Sequence, residues 1–123
     1  AGPAPTTEYK IKGVLSFWGG IINTNLISNE EGSQIPVLLM AGKADKMIPF
    51  SHGQEMKTAY SELYGAEDIA KRITEENGCS VLYVAENAGH GKGFSAQYRE
   101  TVTAKFIHNV LNGSCSTGTI ENK

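Results

Sequence analysis

The sequence has few cysteines, no long apolar run and no excess of either charge, and each shortage removes a class of function. Two cysteines in 123 residues, with no C-x-x-C and no Cys/His ligand spacing, leave no zinc-binding pattern. The longest apolar stretches, such as Val37 to Ala41, fall far short of the roughly 20 residues a helix needs to cross a bilayer. Eleven basic residues against thirteen acidic ones give a net charge of −2, and no basic stripe interleaves with aromatics. Nucleic acid and anionic membrane surfaces are therefore set aside as partners. GHGKG at 89–93 lacks the full spacing and the Lys-Ser/Thr pair of a phosphate loop.

What remains is the make-up of an ordinary globular domain, 40% hydrophobic and 20% charged. A chain of this length buries roughly two-thirds of its unfolded surface, enough for one core. Residues 1–10 are rich in Pro and Thr and read as a tail, and 114–123 read as a second tail unless Cys115 pins them. Cys79 and Cys115 are either one disulfide or two small buried thiols, and the sequence leaves both open. With neither a signal peptide nor an initiating Met, the chain reads as a piece of something longer.

Hydrophobic patterning predicts an α/β fold. GVLSFWG (13–19), PVLLMAG (36–42) and CSVLYVAE (79–86) read as strands, the second apolar on both parities as in a sheet covered on both faces. Ser51, with Gln54 three residues on, reads as the cap of a helix over 52–64, whose stripe is Met56, Ala59, Tyr60 and Leu63. AEDIAKRITEEN (66–77) reads as a second helix stopped by Gly78, and a third covers 95–112, ended by Gly113. Alternating strands and helices imply three mainly parallel strands, since parallel neighbours need long crossovers. The first strand, 13–18, then lies at an open edge.

Two segments carry chemistry. In IPVLLMAGKADKMIP a buried strand delivers Asp45 into the loop at its C-terminal end, where open parallel sheets place functional groups. In VLYVAENAGHGKGF another buried strand delivers His90 into a glycine-flanked loop at the same edge. An acid that orients and charges an imidazole is the back half of a nucleophilic triad. Singly, each residue has a plainer reading: Asp45 caps a turn, and His90 is a loop histidine. Trp18, beside Gly19 and Gly20, is a candidate wall for an acyl or aromatic group or else core; Met47 and Ile48 flank the acid and are candidate substrate contacts.

The chain resembles the C-terminal half of an α/β-hydrolase of the esterase/lipase or dienelactone-hydrolase-like branch. GKADKMIP is similar to that family's G-x-x-D-x-x-(V/I)-P acid loop, and AGHGKGF to its histidine loop. GVLSFWGGI resembles the strand before them, and the likeness runs from about Lys12 to Leu111. It implies a serine carboxylesterase or related acyl hydrolase with Asp45 as acid and His90 as base, a small-molecule ester substrate and no metal or organic cofactor. The departure is the nucleophile: no G-x-S-x-G elbow occurs, and Ser16 and Ser33 have no elbow around them. The expectation is that serine and oxyanion hole lie in an upstream half, and that 13–18 pairs with that half or with a second copy, or is covered by a loop. The rival expectation is a non-catalytic half-hydrolase serving as a binding or assembly module. Compartment stays open, the cysteine pair leaning toward an exported protein.

Overall fold

A computed structural model describes residues 11–21, 23, 24, 27, 35–53 and 62–122. Strands β1 (Val14–Phe17), β2 (Val37–Gly42), β5 (Ser80–Ala85) and β6 (Gly118–Asn122) form one sheet in the order β1-β2-β5-β6, every pair parallel. Two further short strands, β3 (His52–Gly53) and β4 (Leu63–Tyr64), pair antiparallel in a separate ribbon. The helices are α1 (Ala66–Glu75) and α2 (Ala96–Leu111).

The period-two alternation of a strand sorts the core into two layers. Leu39 and Ala41 of β2 and Leu82 and Val84 of β5 share one face, and Ala66, Ile69 and Ile73 of α1 cover it at helical spacing. Leu38 and Met40 point to the other face, where Phe94 and then Val102 and Phe106 of α2 close over them. Leu38, Leu39 and Met40 are at most 1% exposed, so β2 is buried on both sides as its unbroken apolar run requires. Both helices end as their sequences dictate. Asn77 takes a left-handed φ of 63° as Gly78 N–H reaches the Ile73 carbonyl, and Ser114 N–H reaches Asn109 in the same way. At the start of α2 the Ser95 hydroxyl accepts from Tyr98 N–H.

Two sequence expectations are corrected. The helix expected over 52–64 does not hold at either end, because His52–Gly53 and Leu63–Tyr64 are paired strands; residues 54–61 lie outside the described set. Cross-strand contacts outweigh helical spacing there. The His52 ring stacks on Tyr64 at 4.4 Å, His52 Nε2 meets Glu62 at 2.8 Å, and Tyr64 exchanges both backbone bonds with Ile21. The stretch 114–123 is not a frayed tail through residue 122, because it supplies the fourth parallel strand. A Cys79–Cys115 disulfide anchors its start, which resolves the cysteine question in favour of a bridge. The tail expected at 1–10 lies outside the described residues.

β1 is an edge of the sheet, and Val14, Leu15 and Phe17 are each about two-fifths exposed. Among the described residues no helix is long and apolar enough to cross a membrane.

Candidate functional site

Because β2 and β5 run side by side and parallel, the loops leaving their C-terminal ends emerge together. Glycine lets them touch: a Cβ on Gly42 would run into the Ala88 carbonyl, so only a residue without one allows the acid loop to lie against the histidine loop. The Ala44 N–H then donates to the Ala88 carbonyl at 3.0 Å, and Lys43 pairs with Glu86 at 3.1 Å, fastening one loop to the other.

Within this frame Asp45 and His90 meet. Asp45 Oδ2 lies 2.9 Å from His90 Nδ1, although the residues are 45 positions apart in the chain. A carboxylate has no proton to donate, so Nδ1 carries the hydrogen and Nε2 is left as the basic nitrogen. The other oxygen, Oδ1, accepts from the N–H groups of Met47 and Ile48 at 2.8 and 3.0 Å. The carboxylate is thus fixed on both sides. Its side chain is 2% exposed while that of His90 is 36% exposed, an acid buried behind a base that solvent can reach. This arrangement can orient an imidazole, stabilise its charged form and present Nε2 for proton transfer.

Trp18 also belongs to the site. Its ring centroid is 6.4 Å from His90 and 6.3 Å from Phe94, and the Arg99 guanidinium sits 5.6 Å above it. Its φ of 55° is unusual for so bulky a residue, a backbone cost of roughly 1–3 kcal/mol. The strained turn is held by the Trp18 N–H, which donates to the Met40 carbonyl at 2.8 Å. Met47 and Ile48 reach the site through their backbones. The Met47 side chain is exposed, and Ile48 packs toward Gly20.

Among the described residues no hydroxyl bonds to His90, and both cysteines are consumed in the disulfide, so the oxidised chain offers no thiol nucleophile. Nor do the described residues gather three or more His, Cys, Asp or Glu around a possible metal.

One participant was invisible in the sequence. Asn122, in the stretch that reads as a tail, donates from Nδ2 to the Gly93 carbonyl of the histidine loop at 3.0 Å. Its only sequence signal was the cysteine seven residues upstream.

No protein-family model, no curated protein and no solved structure matches the chain, so the reading of this site rests on its own residues and their geometry.

Proposed function

We propose that this chain is the C-terminal portion of a serine carboxylesterase or related acyl hydrolase and supplies the acid and the base of its triad. One observation carries the reading: a buried carboxylate 2.9 Å from Nδ1 of a partly exposed histidine, both on loops at the C-terminal edge of a parallel sheet. A serine from an upstream half attacks the ester carbonyl, and His90 Nε2 takes its proton and returns it to the leaving alkoxide. Asp45 keeps the ring in the Nδ1–H tautomer and stabilises the imidazolium. Trp18 forms a wall of the acyl or aromatic subsite beside His90, and Met47 borders its mouth.

The edge strand supports an upstream half. β1 lies at the edge of the sheet and exposes apolar side chains on both parities, which suits further chain of the parent packing over its faces and pairing with its free edge. The same exposed strand also suits the second reading, a non-catalytic half-hydrolase that pairs with a partner or a second copy. The disulfide favours an oxidising compartment for either.

An assay with p-nitrophenyl acetate tests the division of labour. The purified 123-residue chain is expected to show no turnover above the imidazole background. Saturable turnover by this chain, lost on His90→Ala, would place the nucleophile inside it and overturn the reading.

A further inference from the structure

We propose that Asn122 is a positioning residue for His90, an inference that rests on reading His90 as the catalytic base. The histidine loop leaves β5 at Ala85 and enters α2 at Ala96, and one side of it is already fixed by the acid loop through Gly42 and Ala44. On its other side, among the described residues, Asn122 holds it through two hydrogen bonds. The Asn122 backbone carbonyl accepts from Glu86 N–H at 3.3 Å, and Asn122 Nδ2 donates to the Gly93 carbonyl at 3.0 Å. Glu86 and Gly93 bracket His90, so one side chain and one carbonyl span the base of the loop that carries it.

Gly93 is where the loop most needs such a restraint. Its φ is 96°, open to glycine and strained for other residues, and a Cβ there would strike those of Ala85 and Ala88. A loop turning through glycines at 89, 91 and 93 has little intrinsic preference for one path. Asn122 supplies that preference from outside. It can do so because β6 is itself fixed, by its parallel ladder with β5 and by Cys115 bridged to Cys79 just before β5. The tethered last strand is therefore the back wall of the base. It keeps Nδ1 aimed at Asp45.

The test uses the isotope-labelled 123-residue chain, comparing wild type with Asn122→Ala and with Asn122→Asp, which keeps the shape and removes the donor. At a pH where the ring is neutral, nitrogen shifts report which tautomer His90 holds, and amide exchange reports loop opening. The wild-type chain is expected to hold the Nδ1–H tautomer. Both variants are expected to show a mixture, with exchange at Lys92 and Ala88 faster by about 10-fold and exchange in α1 unchanged. Wild-type tautomer and loop exchange in both variants would overturn the inference, as would faster exchange spread equally through α1. A wild-type chain without the Nδ1–H tautomer would instead contradict the acid–base reading itself, which separates the two failures.

Discussion

Asp45 divides its carboxylate between two tasks, with Oδ2 2.9 Å from His90 Nδ1 and Oδ1 within 2.8 and 3.0 Å of the Met47 and Ile48 N–H groups. Capping a turn and orienting a histidine are competing readings of the sequence, yet one side chain performs both. The turn restrains the carboxylate, and the restrained carboxylate restrains the ring. Because two distinct atoms are involved, substitutions separate the tasks.

Asp45→Asn keeps an oxygen for the turn but sets an amide against His90, which favours the wrong tautomer. In the proposed parent hydrolase we expect kcat to fall on the order of 10,000-fold with thermal stability nearly unchanged. Asp45→Ala removes both tasks and leaves two loop N–H groups unpaired, lowering stability further by about 1–3 kcal/mol. Steady-state kinetics and thermal melts on the pair of variants check both.

Gly42→Ala forces a Cβ into the Ala88 carbonyl, and the obstacle is backbone, which cannot swing aside. A cost of about 1–3 kcal/mol in denaturant unfolding is expected, together with loss of slow exchange at the Ala44 amide. A variant as stable as wild type would mean that the two loops do not pack as described.

Reducing the Cys79–Cys115 bridge opens a loop of 36 residues, which chain-entropy estimates put at about 4 kcal/mol. Denaturant midpoints with and without a dithiol reductant measure this. The Cys79→Ser/Cys115→Ser double variant should match the reduced chain.

Burial raises the Tyr83 phenol above its usual value of 10.0, and the nearby Tyr98 adds to the effect. The folded chain therefore holds this proton more tightly than the unfolded chain does. The associated stability is complete below pH 10.0 and is lost as pH rises through the elevated folded value. Melting temperature should fall over that alkaline window, and Tyr83→Phe should lessen the fall.

Trp18→Ala removes the aromatic wall beside His90. For aromatic esters in the proposed parent hydrolase we expect KM to rise about 10-fold with a smaller change in kcat, as for a side chain that lines the acyl subsite beside His90 without reaching the reacting atoms. Equal KM values for the two enzymes would remove Trp18 from the substrate site.

Much of this architecture was legible in the residues. The run at 36–42 is apolar on both parities, as in a strand covered on both faces, the run at 79–86 is β-branched and apolar, and the loops that follow them carry Asp45 and His90. The ribbon at 52–53 and 63–64 was not legible, because its pairing depends on Ile21, His52 and Tyr64 meeting from distant parts of the chain. β6 was hidden for a related reason. GTIEN has no apolar run, since most of the strand is exposed, and it is ordered by β5 and by a disulfide whose existence turned on a distance. The role of Asn122 was hidden with it.

In the proposed triad His90 serves a serine outside these 123 residues. Fluorophosphonate labelling of the product of the full reading frame, followed by mass spectrometry of the labelled peptide, tests it most directly. Label is expected on one serine upstream of Ala1, at a rate reduced about 1,000-fold or more by His90→Ala. Label on a serine within the chain, or labelling indifferent to His90, would contradict it.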